Sequence, residues 1–276
     1  MRLARIGAPG AEVPVAFGSD DQWHDVSRVI DDVRPDTLMT DWTTHDVTAM
    51  PVINPARFGP PVASIGKIVC IGLNYSDHAR ETGATPPAEP IVFLKAPDTV
   101  VGPNDDVLIP KTSVKTDWEI ELAVVMGGQA RYLESPADAM QLVAGYTISN
   151  DLSERAFQLE RGGQWDKGKN CETFNPLGPW FVTADEIADP QELTLRLYVN
   201  GTIRQEGSTA DMIFGIDYLV WYLSQFMTLY PGDIINTGTP AGVALGQDDD
   251  VFLRPGYVME LEIAGLGTQR QSCISA

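Results

Sequence analysis

Short apolar runs, and runs that alternate between apolar and polar residues, recur along the chain, and both patterns are typical of β-strands. They lie at 67–74 (KIVCIGLN), 117–127 (DWEIELAVVMG), 193–207 (LTLRLYVNGTIRQEG) and 258–272 (VMELEIAGLGTQRQS). Asn200-Gly201 separates two alternating arms of the third run, which predicts a β-hairpin with a two-residue turn. The fourth run predicts a second hairpin that turns near Gly265.

The clearest helical periodicity ends at Pro231-Gly232, where the chain leaves a stretch whose apolar residues recur at helical spacing. These residues are Ile216, Leu219, Val220, Leu223, Phe226, Met227 and Tyr230. A weaker helical pattern covers 23–33 (WHDVSRVIDDV). Because strands outnumber helices, we predict a mainly β fold with some α, of the α+β class.

A proline- and glycine-rich passage at 51–66 (PVINPARFGPPVASIG) is typical of a linker that runs over the surface. We therefore predict a small N-terminal α+β domain at 1–60 and the main domain at 61–276. A chain of 276 residues is long enough for one large domain with such an addition.

Composition narrows the classes of function. The chain has 19 Lys and Arg against 38 Asp and Glu, which gives a net charge of −19. Such a surface repels nucleic acids and anionic membranes, so we expect neither as a partner. Its three cysteines are too widely spaced for a zinc motif or a disulfide framework. Because the N-terminus does not resemble a signal peptide and no apolar run reaches about 18 residues, we expect a cytoplasmic protein.

Glu119 and Glu121 are two residues apart on a predicted strand, so their side chains project from the same face. That face continues with Ala123 and Val125, and the opposite face is apolar as well. One interpretation is the solvated side of a sheet. The other is a buried pair that binds a hard divalent cation, since two adjacent carboxylates repel each other.

Asp151 also has two interpretations. It follows a predicted strand and precedes a predicted helix, which makes it a candidate third metal ligand. It is equally a candidate helix N-cap, with Glu154 completing a capping box.

His78 and Glu81 are three residues apart, a spacing that brings two side chains together on a helical turn. A carboxylate beside an imidazole raises its basicity and orients it, as a general base requires. The alternative is an ion pair on the surface. We expect the remaining histidines to be exposed.

The stretch GQWDKGKN (163–170) matches the two glycines and the lysine of a phosphate-binding loop, with Asn170 in place of the usual hydroxyl. Such a loop follows a buried strand and opens a helix, whereas polar residues precede this stretch and two prolines follow it. Asp166 would also repel phosphate. We therefore reject a nucleotide site, and Lys169 requires another explanation.

Seven segments, in this order, resemble the fumarylacetoacetate hydrolase family over residues 67–270. They are GLNYSDHARE, FLKAPDTVVGPND, DWEIELAVVMG, GYTISNDLSERAFQ, QWDKGKNCETFNPLGPW, NGTIRQEGSTADMIF and PGDIINTGTPAGV. For 61–276 the resemblance implies the family's β-rich catalytic fold, a rolled mixed sheet with its site at one end. It also implies a homodimer.

The same resemblance assigns roles to individual residues. It implies that Mg²⁺ or Mn²⁺ is held by Glu119, Glu121 and Asp151. It makes His78 and Glu81 catalytic, on a segment that closes over the site, and it directs catalytic Lys169 at anionic oxygens of the substrate. The positions that match substrate-binding residues are Lys95, Gln158 and Thr239. The founding hydrolase has a fourth acidic ligand, but the matching IGLNY has no carboxylate, so water or substrate would complete the coordination.

By resemblance, the substrate is a small keto acid. The implied reaction is hydrolysis of the C3–C4 bond of a 2,4-diketo acid, either an acylpyruvate or a 2,4-diketo-3-deoxy sugar acid, to pyruvate and a carboxylic acid. His78 would activate water, while the cation and Lys169 would stabilise the enolate of pyruvate. The alternatives on the same site are decarboxylation of oxaloacetate and isomerisation of a 2-hydroxy-dienedioate.

Overall fold

A computed structural model of the chain describes residues 1–81, 83, 85–247 and 251–276. The strands are β1 (Arg2–Ile6), β2 (Val13–Phe17), β3 (Trp23–Asp25), β4 (Ile68–Gly72), β5 (Ile91–Lys95), β6 (Val100–Val101), β7 (Val107–Ile109), β8 (Thr116–Asp117), β9 (Ile120–Met126), β10 (Val143–Asn150), β11 (Ser153–Glu154), β12 (Asn175–Thr183), β13 (Thr194–Val199), β14 (Thr202–Ser208), β15 (Ile234–Asn236), β16 (Val258–Ile263) and β17 (Gly267–Ser275). The α-helices are α1 (Ser76–Glu81), α2 (Arg155–Leu159), α3 (Asp166–Lys169) and α4 (Ile216–Ser224).

The strands form three sheets. A ten-stranded sheet has the order β3-β2-β1-β12-β10-β9-β15-β4-β5, with β6 beside β12. A five-stranded sheet has the order β14-β13-β16-β17-β7, and β11 pairs with β8. Most neighbours are antiparallel, whereas β15 and β4 run parallel. The predicted mainly β fold with some α is confirmed.

Strand β9 lies in the middle of the large sheet, and all its residues are buried. On one face, Leu122 belongs to the hydrophobic cluster that contains Leu197 and Leu261 of the small sheet. On the other face, Val125 belongs to a cluster with Val26 of the N-terminal segment. Burial on both sides explains why the sequence of this strand is apolar in both registers.

The N-terminal segment extends the large sheet, because β1 pairs antiparallel with β12. The domain boundary at residue 60 stays a prediction. The helix predicted at 23–33 is wrong, since Trp23–Asp25 is a strand paired with β2. The expectation that His24 is exposed is also wrong. It is fully buried, with Nδ1 2.9 Å from the carbonyl oxygen of Met50 and Nε2 3.0 Å from Asp20 Oδ1.

Both predicted hairpins are present. Asn200 and Gly201 have φ of 50° and 75° between β13 and β14, and Gly265 lies in the turn between β16 and β17. Helix α4 begins where the periodicity predicts, but it ends at Ser224 rather than near Tyr230. Beyond the helix, Leu229 and Ala130 exchange backbone hydrogen bonds (2.9 and 3.0 Å) in an antiparallel bridge. Within the described residues, no helix has the length and apolarity needed to cross a membrane.

Candidate active site

The three predicted metal ligands meet where two neighbouring strands of the large sheet start and end. Glu121 lies in β9 with Glu119 just before it, and Asp151 follows the last residue of β10. Because β9 and β10 are antiparallel, these ends are adjacent, and the amide of Asp151 donates to the carbonyl of Glu119 (2.9 Å). One carboxylate oxygen from each of the three residues lies within 4.8 Å of the others, and all three residues are buried. The arrangement is that of a candidate metal site.

Cationic side chains surround two of these carboxylates. Lys169 Nζ lies 2.8 Å from Glu119 Oε2 and 2.8 Å from Asp151 Oδ2. Arg155 donates to Glu119 Oε1 (2.6 Å), and Lys95 donates to Asp151 Oδ1. Glu121 differs, because its Oε2 accepts from the amide of Gly238 (2.7 Å) and no ion-pair partner is found among the described residues.

The two glutamates have opposite electrostatic environments. Burial disfavours the charged form of Glu119, but Lys169 and Arg155 outweigh it and lower the pKa to about 2. For Glu121, burial and the charges of Asp151 and Glu119 raise the pKa well above its usual range. Burial likewise disfavours charged Lys169, yet Asp151 and Glu119 raise its pKa. The site therefore holds a charged lysine and, at Glu121, one carboxyl group whose anionic form is disfavoured and has no ion-pair partner among the described residues.

The alternative role of Asp151 as a helix cap is wrong. Helix α2 begins at Arg155, and its N-cap is Glu154, whose side chain accepts from the amide of Ala156 (3.2 Å). The Asp151 carboxylate instead binds Lys95 and Lys169.

His78 and Glu81 lie together in α1, as their spacing predicts. His78 Nδ1 is 3.5 Å from Glu81 Oε2, and the side chains are 8% and 20% exposed, so the pair is not a solvated surface bridge. The amide of Gly242 donates to both carboxylate oxygens of Glu81 (3.0 and 2.9 Å), which fixes its orientation. An imidazole oriented in this way suits a general base.

A cavity of about 180 Å³ opens beside the carboxylates. It is lined by Ile71, Gly72, Leu73, His78, Phe93, Glu119, Glu121, Arg155, Gln158, Leu159, Trp165, Lys169, Thr239 and Leu245. Of the predicted substrate-binding residues, Gln158 and Thr239 line this cavity. Lys95 does not, because its ammonium lies behind Asp151 and also donates to the carbonyl oxygens of Leu152 (3.1 Å) and Phe174 (2.6 Å).

Arg155 and Asp117 also belong to the site, although no sequence pattern assigned them a role. Arg155 Nε lies 2.8 Å from Asp117 Oδ2, and another nitrogen of the same guanidinium donates to Glu119. Asp117 also accepts from the amides of Ala244 (2.7 Å) and Leu245 (3.0 Å). The sequence feature that could have identified Arg155 is its position in NDLSERAFQ, three residues before the predicted substrate-binding residue Gln158. In the structure, the Arg155 guanidinium donates to Gln158 Oε1 (3.0 Å).

The near match to a phosphate loop has a different structural basis. Lys169 is the last residue of α3 and is directed at carboxylates, an unsuitable place for phosphate. A Cβ on Gly168 would lie 2.5 Å from the carbonyl oxygen of Glu154, so this glycine allows α3 to pack closely on the start of α2. In the segment that lacks a fourth acid, the Asn74 side chain donates to the carbonyl oxygens of Phe214 (3.1 Å) and Thr237 (2.8 Å).

Comparison with known proteins gives concordant results. Residues 67–274 match the family described as Fumarylacetoacetate (FAA) hydrolase C-terminal. The 2,4-didehydro-3-deoxy-L-rhamnonate hydrolase of Sphingomonas sp. (strain SKA58) is 47% identical over 273 residues, covering 98% of this chain and 95% of that protein. The structure of the fumarylacetoacetate hydrolase from Exiguobacterium antarcticum has a TM-score of 0.88 at 30% identity, with 100% of both chains covered. The 5-carboxymethyl-2-hydroxymuconate delta-isomerase from Mycobacterium smegmatis has a TM-score of 0.80 at 30% identity, again with 100% of both covered.

Proposed function

The chain belongs to the fumarylacetoacetate hydrolase family, and on this premise we propose that it is a hydrolase that requires Mg²⁺ or Mn²⁺. In the proposed reaction, water cleaves the C3–C4 bond of a 2,4-diketo acid, which yields pyruvate and a carboxylic acid. The relative named 2,4-didehydro-3-deoxy-L-rhamnonate hydrolase supports a 2,4-diketo-3-deoxy sugar acid or a related acylpyruvate as the substrate.

The observation that carries the proposal is the set of three buried carboxylates within 4.8 Å. Like charges this close require a shared proton or a cation between them. Lys169 bridges Glu119 and Asp151, while Glu121 has no side-chain cation among the described residues. Oxygen donors from carboxylates are those that Mg²⁺ and Mn²⁺ prefer, so the residues fit such an ion.

When bound, the cation would polarise the oxygens of the keto acid and offset the negative charge that develops on it. The chain's own residues supply the remaining interactions. Lys169 lines the cavity with its ammonium held between two carboxylates, so it is positioned to donate to an anionic oxygen of the substrate. Gln158 and Thr239 line the same cavity and offer polar groups that would orient the diketo acid.

His78 is the proposed general base. It lines the cavity, and Glu81, fixed by the amide of Gly242, orients its ring. The imidazole takes a proton from water, and the resulting hydroxide attacks the C4 carbonyl. The C3–C4 bond then breaks, and its electron pair remains on C3 as the enolate of pyruvate. Return of the proton to C3 completes pyruvate, and the acyl fragment leaves as a carboxylic acid.

An isomerase or a decarboxylase is the second candidate. The structural similarity to a delta-isomerase over the whole chain favours it, because an enolate can be reprotonated at another carbon without attack by water. The same groups would stabilise the enolate that forms when oxaloacetate loses CO₂.

One panel of substrates distinguishes these reactions. Purified protein with Mg²⁺ or Mn²⁺ is incubated with acylpyruvates, a 2,4-diketo-3-deoxy sugar acid, oxaloacetate and a 2-hydroxy-dienedioate. The proposal predicts pyruvate and a carboxylic acid in equal amounts from the diketo acids, and none after metal chelation. Release of CO₂ from oxaloacetate as the dominant activity, or isomerisation without pyruvate, would replace hydrolysis as the function.

We also propose that the protein acts as a homodimer in the cytoplasm. The support for the dimer is the family resemblance, and light scattering coupled to size-exclusion chromatography tests it. A monomeric mass at micromolar concentration would contradict this assembly.

A further inference from the structure

Part of the cavity wall is apolar and has no role in the proposed chemistry. Its side chains are those of Ile71, Leu73, Phe93, Leu159, Trp165 and Leu245. We propose that this apolar wall selects substrates whose tail ends in an uncharged, methyl-like group and rejects tails that end in a second carboxylate. This inference rests on the proposed function, since it concerns the end of the diketo acid that leaves as the carboxylic acid.

The apolar wall begins beside the lysine of the site. Lys169 Nζ lies 4.9 Å from the centroid of the Phe93 ring, and this ring packs edge-to-face on Trp165 with centroids 5.5 Å apart. A substrate whose anionic oxygens contact Lys169 therefore places its tail against aromatic carbon. Burial of apolar tail atoms on this surface is favourable, and burial of a carboxylate there is not.

Trp165 fixes the position of this wall. A Cβ on Gly72 would lie 2.6 Å from Trp165 Cζ3, so the indole rests directly on the backbone of β4. It cannot move further in that direction, because the strand is behind it. We therefore assign Trp165 a role in substrate specificity.

The cationic groups of the cavity are already neutralised. Among the described residues that line it, the lysine and arginine side chains are those of Lys169 and Arg155. Arg155 binds Asp117 and Glu119, and Lys169 binds Glu119 and Asp151. A second carboxylate on the substrate would have to displace one of these carboxylates or remain without a charged partner, and either is costly.

The direct test compares two ligands of equal length. The acids 2-oxoheptanoate and 2-oxoheptanedioate share the 2-oxo acid group and differ at the far end, methyl against carboxylate. Neither has a 4-oxo group, so neither can be hydrolysed during the measurement. With Mg²⁺-loaded protein, calorimetry should give a Kd for the monoacid at least about tenfold lower, since even one methylene in an apolar pocket is worth that much. Equal affinities, tighter binding of the diacid, or no binding of either ligand overturns the inference.

Two pairs of variants sharpen this test. Leu159 is 43% exposed at the cavity, so Leu159→Arg should fold and supply the missing cation. It should reduce the preference for the monoacid at least about tenfold, while the neutral control Leu159→Gln should not. Trp165→Ala should lower the affinity for the monoacid at least about tenfold. Leu94→Ala, on the exposed side of β5, should leave this affinity unchanged. An unchanged ratio in Leu159→Arg, or full affinity in Trp165→Ala, would refute the proposal.

Turnover separates this inference from the proposed function. The matched substrates are 2,4-dioxoheptanoate and 2,4-dioxoheptanedioate. A protein that binds the monoacid preferentially but cleaves neither substrate has a selective wall and is not this hydrolase. A protein that cleaves both with the same kcat/KM is the hydrolase, and the selectivity assigned to the wall is wrong.

Discussion

Two clusters of acidic and basic side chains in this molecule have similar compositions and different environments. The site cluster consists of Lys95, Asp117, Glu119, Glu121, Asp151, Arg155 and Lys169. The N-terminal cluster consists of Arg5, Glu12, Asp32, Arg57 and Asp105. Each has one more acidic than basic group. Incomplete pairing and the burial of every ion-paired side chain, rather than charge count, distinguish the site cluster.

Every acidic side chain of the N-terminal cluster forms an ion pair with an arginine. Arg5 binds Asp32 through two nitrogens (2.6 and 3.0 Å), and Arg57 binds Asp105 in the same way (2.8 and 2.5 Å). Glu12 lies 3.6 Å from Arg5 and 3.1 Å from Arg57. The arginine side chains are 13% and 24% exposed and those of Asp32 and Asp105 are 23% and 26% exposed, so solvent reaches these four charges, whereas Glu12 is 5% exposed. Such a cluster holds the N-terminal segment against the rest of the chain.

The site cluster has neither complete pairing of its acids nor side chains that solvent reaches. Its ion-paired side chains are at most 7% exposed, and Glu121 has no ion-pair partner among the described residues. A buried, unpaired carboxylate is costly for folding, and a bound cation removes that cost.

Glu121→Gln should have the largest effect. It keeps the shape of the side chain and removes the charge that attracts a cation, so metal affinity should fall more than about 10²-fold and turnover with it. Burial and the neighbouring carboxylates disfavour the anionic form of Glu121 in the metal-free protein, so the neutral amide should leave its free energy of unfolding the same or raise it. Calorimetric titration of Mg²⁺ and chemical denaturation measure the two quantities. Full activity in this variant would contradict catalysis that depends on a metal ion at this site.

Lys169→Met should reduce kcat/KM by about 10²- to 10³-fold, because it removes one donor to the developing negative charge. Kinetics with a cleaved acylpyruvate measure the loss. An ATP titration of both proteins serves as the control. An ATP affinity that the wild type has and the variant lacks would restore the rejected phosphate loop.

His78→Ala should lower kcat by about 10²-fold, the usual scale for the loss of a general base. Metal affinity should remain nearly intact, since His78 is not one of the three proposed metal ligands. Circular dichroism must show a folded protein, and a collapsed fold would instead make His78 structural.

Arg57→Ala tests the N-terminal cluster and should have the smallest effect on function. Losing a half-buried arginine with two acidic partners should lower the free energy of unfolding by about 1 kcal/mol. The value of kcat/KM should stay within about twofold of the wild type. A large loss of activity with unchanged stability would contradict the division between the two clusters.

The sequence predicts those parts of the molecule that local pattern determines. The burial of Glu119 and Glu121 follows from a strand that is apolar on both faces, and Asn200-Gly201 determines its hairpin by backbone conformation alone. His78 and Glu81 meet because they are three residues apart on a helix.

Contacts between distant segments determine the rest. The segment at 23–33 has a helical pattern, but Trp23 pairs with Phe17 in a strand and His24 binds Met50. Arg155 joins Asp117 to Glu119 across more than 30 positions of sequence, and no local pattern indicates such a pairing. Lys95 was predicted to contact the substrate, yet only the fold reveals that it lies behind Asp151.

Anomalous diffraction from crystals grown with Mn²⁺ would locate the proposed ion directly. The expected result is one strong peak at roughly 2 Å from oxygens of Glu119, Glu121 and Asp151, and activity that chelation abolishes and Mn²⁺ restores. A peak away from these three carboxylates, or a chelator-treated enzyme that retains its full rate, would contradict it.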